Sequence, residues 1–249
     1  MIREDLAAYY GEIHRFDCDF GRVLARLEEE GLADNTLVVF MGDNGGAQFM
    51  GKGTLYEYGV NVPLIIRWPG KIAPGSRTER LISGEDLAPT FLAAAGIEPP
   101  KEMTGCDIMD TESNRRYVFA ERGAHGKGLP ENTVNFDLIR CIIGERFKLI
   151  YNATPTIPYE PVDFSHLPMY SELRAMNENE TLDPKFRKLY FPEIRPMFEL
   201  YDLKNDPREQ QNLADHPDYK AIKDELILEL SYWMIREEDF LPLPYVFKK

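Results

Sequence analysis

The chain has 249 residues, 42 of them Asp or Glu and 29 Lys or Arg, for a formal net charge of −13. Its 43% hydrophobic and 12% aromatic content supplies a globular core and excludes wholesale disorder, while the acidic balance argues against the basic face that nucleic-acid binding needs. No run reaches the roughly 18 apolar residues of a membrane helix, no basic-then-apolar opening marks a signal peptide, and the three cysteines (Cys18, Cys106, Cys141) have neither disulfide parity nor zinc-site spacing.

Residues 3–30 are predicted to form one long helix. Leu6, Tyr9, Tyr10, Ile13, Phe16, Phe20, Val23, Leu24 and Leu27 recur at three- and four-residue steps, the spacing of one buried face. Glu4 and Asp5 suit its positive end, and Gly31 suits its stop. Residues 36–41 and 62–68 are unbroken β-branched and apolar runs, the pattern of strands buried on both faces, as in a parallel sheet covered by helices. A helix from about Asp86 to Ala95 follows, ended by Gly96. This order is that of an α/β layered fold.

From about residue 112 the pattern changes. Residues 117–120, 138–143 and 147–151 read as strands, the last two forming a hairpin through Gly144-Glu-Arg146. The Pro-rich, weakly periodic stretch 152–197 is expected to wrap over a surface, and Glu199–Leu203 to form another strand. Asp206-Pro-Arg-Glu209 has the signature of a helical first turn, and Pro217 opens a last helix striped by Ile222, Leu226, Leu230 and Trp233. Residues 1–110 are therefore expected to form one α/β domain, and 111–249 a smaller α+β domain with antiparallel sheet.

Chemistry concentrates in Gly42-Asp43-Asn44-Gly45-Gly46, directly after the run 36–41. Ligand sites of open α/β sheets lie outside the carboxyl ends of strands. Asp43 offers a carboxylate and Asn44 an amide carbonyl, hard oxygens suited to Ca²⁺ or Mg²⁺; the alternative is an ordinary Asp-Asn-Gly turn. Lys52, between Gly51 and Gly53, can neutralise an oxyanion, or be a solvated surface lysine. The glycine spacing is not that of a Walker loop.

Three segments, Asp34 to Gly45, Lys52 to Gly70 and Asp86-Leu-Ala-Pro-Thr90, resemble the C-terminal half of a type I sulfatase, and Glu199 to Ala214 is similar to the segment that opens the last part of many sulfatases. Within the family, Arg140 to Asn152 and the aromatic stretch after it look most like the heparan N-sulfatase branch. The resemblance implies an alkaline-phosphatase-like α/β fold, Ca²⁺ (or Mg²⁺) at Asp43 and Asn44, sulfate contact and a catalytic role for Lys52, and a sulfated sugar as substrate, cleaved at a sulfate ester or N-sulfo group. It also implies a periplasmic, secreted or lysosomal setting. No nucleic acid or membrane is expected as a partner; a second copy or an N-terminal half is.

The family's formylglycine nucleophile arises in Cys/Ser-x-Pro-x-Arg, and no segment here matches it. Cys18-Asp-Phe-Gly-Arg22 has Phe where Pro is required and reads as a buried structural cysteine on the first helix. The paired aspartates of the family's metal site are also missing, so the chain is expected to be inactive alone. Arg122, His125 and Lys127, in the glycine-rich loop 121–128, are candidates to contact an anionic sugar, against the alternative of a mobile polar loop. His14, His166 and His216 read as structural or surface residues, and Asp17, Asp19 and Glu28–Glu30 as solvated charges. Two further function classes stay open: a non-catalytic interaction module, and a phosphomonoesterase or phosphomutase of the same superfamily.

Overall fold

The computed structural model describes residues 2–111, 114–124, 136–159, 161–162 and 168–239. They fall into two compact units: Met1–Gly42 with Pro63–Thr78, and Asp43–Val62 with Glu79–Lys249. No described helix is long and apolar enough to cross a membrane.

In the first unit, helix α1 (Ile2–Glu29) stops where Gly31 takes φ 67°, a left-handed conformation that glycine adopts without steric cost. The closing bonds run from Gly31 N–H to Glu28 O (3.0 Å) and from Leu32 N–H to Leu27 O (2.9 Å). Strands β1 (Val38–Met41) and β2 (Leu64–Arg67) pair antiparallel, Val38 opposite Arg67. The two apolar runs are strands, as expected, but they pair with each other rather than in parallel. Theirs is a two-stranded sheet with Met41 and Ile65 exposed, so neither strand is buried on both faces.

The buried face expected for α1 also needs correction. Leu6, Tyr9, Tyr10, Ile13, Phe16 and Val23 are exposed, and Tyr9 and Tyr10 are not core residues. Within its unit the helix leans on the hairpin through Phe16 and Phe20, whose rings lie 5.5 and 5.8 Å from that of Phe40, and through Arg67, which bonds Glu28 at 2.9 Å. A helix of 28 residues is about 42 Å long, and two four-residue strands cover a fraction of it. Cys18 is exposed for the same reason, not buried, with its sulfur 3.8 Å from His14 Nε2.

The second unit is built on a four-stranded antiparallel sheet, in order β3 (Val118–Ala124), β4 (Phe136–Ile143), β5 (Phe147–Asn152) and β6 (Phe198–Asp202). The period-2 alternation of side chains divides its residues between two faces. On one face Ile142, Leu149 and Leu200 meet Leu213 and the stripe Leu226 and Leu230 of helix α6 (Lys220–Arg236). Trp233 extends that contact, stacked on Phe119 at 4.9 Å. The other face presents Ile139, Cys141, Ile150 and Tyr201, and against them packs Leu55, ahead of the short helix α2 (Glu57–Val60). Burial pushes the Cys141 thiol up to about 11, which keeps it protonated and inert.

Helix α3 (Leu87–Ala94) follows a 3₁₀ turn over Gly84–Asp86. The Asp86 carboxylate accepts from Ser83 N–H, Cys106 N–H and both Arg115 Nη groups, so this motif residue is a structural hub. Burial alone would raise its pKa, but those hydrogen bonds, Arg115 foremost, hold it below the ordinary carboxylate range. The stretch 152–197 does not merely wrap: it contains α4 (Pro168–Glu178) and α5 (Pro184–Tyr190), the latter capped by Asp183, which accepts from Lys185 N–H at 2.8 Å. Residues 206–209 form a turn instead of starting a helix, because Glu209 sits at φ 52° with its side chain in the core.

At the end of β6, Asp202 is pushed down to about 2, chiefly by its hydrogen bond from Arg146, whose Nη2 lies at 2.7 Å, and then by Asn205. A carboxyl depressed by folding stabilises the fold fully above its ordinary pKa of 3.8, and that contribution disappears as pH falls towards 2. The stability gap between the protein and Asp202→Asn should therefore be constant from neutral pH to about pH 5 and close between about pH 4 and 2. Urea midpoints across that range measure it, and a gap that persists at pH 2 would contradict the assignment.

Candidate active site: the Asp43–Asn44 turn and the Lys52 loop

Two residues past the end of β1, the Asn44 N–H donates to Asp43 Oδ1 at 2.9 Å, and Asn44 Nδ2 donates to Gly45 O at 2.7 Å. The second bond uses one N–H of the amide NH₂ and leaves the Asn44 carbonyl oxygen as an acceptor. Two backbone bonds then strap this turn to the loop after it: Gly45 N–H to Gly59 O (3.0 Å) and Lys52 N–H to Gly46 O (2.9 Å). Such proximity requires glycine. A Cβ on Gly45 would lie 1.8 Å from Tyr58 O, and one on Gly51 would lie 2.1 Å from Gly46 O. The structure thus brings the Asp43–Asn44 turn and the Lys52 backbone together in one loop pair, with Asp43 exposed and Asn44 and Lys52 half-buried.

The loop carrying Lys52 is gripped from beneath by the second face of the sheet. At its start, the Met50 N–H donates to the Tyr159 hydroxyl at 2.8 Å. At Gly53, the carbonyl accepts from Arg122 Nη1 at 2.5 Å. Arg122 belongs to a buried cluster in which Arg195 forks onto Asp137 at 2.5 and 3.0 Å and Thr154 donates to the same carboxylate at 3.0 Å. At the far end, Lys148, fully buried on β5, lies 3.0 Å from both Glu57 Oε1 and Glu209 Oε1, while Glu209 Oε2 accepts the Glu57 N–H at 2.5 Å. Burial would lower the Lys148 pKa, but attraction to Glu209, and then to Glu57, outweighs it and holds the ammonium charged. Two ion clusters therefore hold residues 53 and 57, on either side of Leu55.

In kind, the donors at Asp43 and Asn44 suit a hard divalent cation; in number they are part of a shell, since Ca²⁺ takes about 6–8 oxygens. Among the described residues no group of three or more His, Cys, Asp or Glu side chains is placed to hold a metal. His125 and Lys127 lie outside the described residues, as does His166. His216 is exposed, its Nδ1 accepting from Asp218 N–H at 3.3 Å. Sequence reasoning missed Lys148, Glu209, Asp137 and Arg195. The signal for the first was a lysine inside the strand pattern Phe147–Tyr151; the others carried none, since Glu209 meets Glu57 152 positions away and Asp137 meets Arg195 58 positions away.

Residues 3–97 match the sequence profile of the sulfatase family. The chain is 32% identical over 246 residues to an ulvan-active sulfatase of Formosa agariphila, covering 98% of this chain and 40% of that protein. It is 30% identical over 254 residues to the N-sulphoglucosamine sulphohydrolase of Homo sapiens, covering 95% and 49%. In fold it resembles the solved structure of a protein in complex with its substrate D-glucosamine-2-N,6-O-disulfate, with a TM-score of 0.60 and 24% identity over 94% of this chain and 40% of that one. The chain spans between two fifths and half the length of these curated relatives.

Proposed function

The chain belongs to the sulfatase family, and from that premise we propose that it is the C-terminal portion of an enzyme that hydrolyses sulfate esters or N-sulfo groups of sulfated sugars. On this reading residues 1–110 belong to the catalytic α/β domain and 111–249 to a smaller C-terminal domain. The observation that carries it is the glycine strap that sets the Lys52 loop against the Asp43–Asn44 turn. Asp43 and Asn44 would contribute two oxygens to a Ca²⁺ (or Mg²⁺) site, and a cation there supplies Lewis-acid stabilisation of charge on sulfate oxygens. Lys52 contacts a sulfate oxygen and offsets the charge that develops as the S–O or S–N bond breaks. The glycine-bound backbone fixes where the Lys52 side chain begins, so the loop itself needs no ordering at the moment of binding. Lys52 is the catalytic residue of this set, and His125 a further contact to the sugar.

The nucleophile is expected from a segment outside these 249 residues, which hold no Cys/Ser-x-Pro-x-Arg. The apolar stripe of α1 is proposed as the surface that meets such a segment, or a second copy of the chain. The expected result with the 249-residue chain alone, given an aryl sulfate and Ca²⁺, is no turnover above the uncatalysed rate. Turnover that is present and vanishes in Lys52→Ala would overturn the need for a separate nucleophile.

A further inference from the structure

A cavity of about 470 Å³ lies within the second unit, between the Met50–Tyr56 side of the loop, the sheet and α5. Leu55, Ile139, Ile150 and Tyr201 give it an apolar wall. Its unusual feature is Glu199, which is 4% exposed. Glu199 Oε2 accepts from the hydroxyls of Tyr56 (2.9 Å) and Tyr201 (2.5 Å), and Oε1 accepts from Asn152 Nδ2 (2.6 Å). All three donors are neutral. Burial, and then the neighbouring Glu199, pushes both phenols well above their ordinary range, so they stay protonated and act as donors.

A buried carboxylate is ordinarily paired with a cation, yet no Lys, Arg or His among the described residues makes an ion pair with Glu199. Arg195 lines the same cavity but is committed to Asp137. A carboxylate offers about four acceptor positions, and three are used here, which leaves Oε1 able to take another donor. Lys185 and Lys188 of α5 also line the cavity and are exposed, as is Asp215. Among the described residues the Lys185 ammonium bonds a neutral group, Gln210 Oε1 at 2.7 Å, and the Lys188 ammonium has no partner.

We infer that this cavity is a binding site for an acidic monosaccharide unit, whose hydroxyl or amino group donates to Glu199 and whose sulfate or carboxylate meets Lys185 and Lys188. The volume falls within the roughly 300–1,000 Å³ of small-ligand sites, and an apolar wall with a few convergent polar groups is their usual lining. The ring's C–H faces suit that wall. This assignment rests on the sulfatase reading for its choice of a sugar, and it deepens that reading by adding a saccharide contact separate from Lys52.

The test is the affinity of the 249-residue chain for D-glucosamine 6-sulfate and for D-glucuronate, by isothermal titration, with glucose and inorganic sulfate as comparisons. The expected result is that at least one acidic sugar binds more tightly than glucose or sulfate. Lys188→Glu and Glu199→Gln should each weaken that binding by about tenfold or more, since each removes one partner of a charged hydrogen bond, while Lys52→Ala leaves it within about threefold. Lys188→Glu is a surface change, so it tests the site even where Glu199→Gln lowers stability. Absence of acidic-sugar binding, or binding that Lys188→Glu leaves within threefold, overturns the site. Binding lost in Lys52→Ala alone also overturns it, and leaves the sulfatase reading standing.

Discussion

Lys148→Met should destabilise the chain by about 3–5 kcal/mol, the usual cost of removing one partner from a buried ion cluster. Lys148 is fully buried, and Glu209 is 2% exposed. Methionine fills the volume but leaves Glu209, whose carboxyl burial already pushes up to about 7, in the core without its cation, and Glu57 loses the contact at 3.0 Å that turns it inward. Urea unfolding measures the loss. Adding Glu209→Gln to Lys148→Met should recover part of it, because two neutral groups in that space cost less than one stranded charge. A loss below about 1 kcal/mol, or no recovery in the double variant, would mean that the cluster does not hold the loop. Amide exchange locates the effect: Gly45 and Lys52, whose N–H groups strap the candidate site, should lose more protection than Leu149 or Leu200 in the sheet.

Asp137→Ala is expected to cost a similar 3–5 kcal/mol, from the other end of the loop. It strips the carboxylate from Arg195, bonded at 2.5 and 3.0 Å, and from Arg122, 3.6 Å away. Both guanidiniums are buried, and Arg122 is the group that donates to Gly53 O beside Lys52. The two variants are distinguishable. Asp137→Ala should loosen the Met50–Thr54 segment first, where Thr54 Oγ1 bonds Met50 O at 2.8 Å, and Lys148→Met the Tyr56–Val60 segment. Exchange that rises equally along the whole loop in both variants would show that the two clusters act as one cooperative unit.

Strong periodic signals were legible in the sequence because they are local. The long first helix, the four strands of the second unit and the last helix all lie within a few residues of their expected bounds. The motif residues Asp43, Asn44 and Lys52 could be singled out because a strand end, hard-oxygen side chains and flanking glycines lie next to one another in the chain. The expectations that failed depended on what packs from elsewhere. Periodicity marks which face of α1 is apolar but not what covers it, and Tyr10 is 65% exposed. Asp206-Pro-Arg-Glu209 has every local mark of a helical first turn, yet Glu209 is drawn into the core by Lys148, 61 positions earlier in the chain.

By itself, the sequence determined the long first helix, the strands and the last helix, the Asp43–Asn44 turn and the place of Lys52 in the loop after it, since backbone preference, side-chain period and glycine steric freedom act over a few residues. Tertiary structure alone decided that the two apolar runs form an antiparallel pair, that Lys148 and Asp137 grip the Lys52 loop, and that Glu199 borders a cavity without an ion-pair partner among the described residues. Those outcomes are set by desolvation and charge pairing between residues tens of positions apart, and such energies exist only once the chain has folded back on itself.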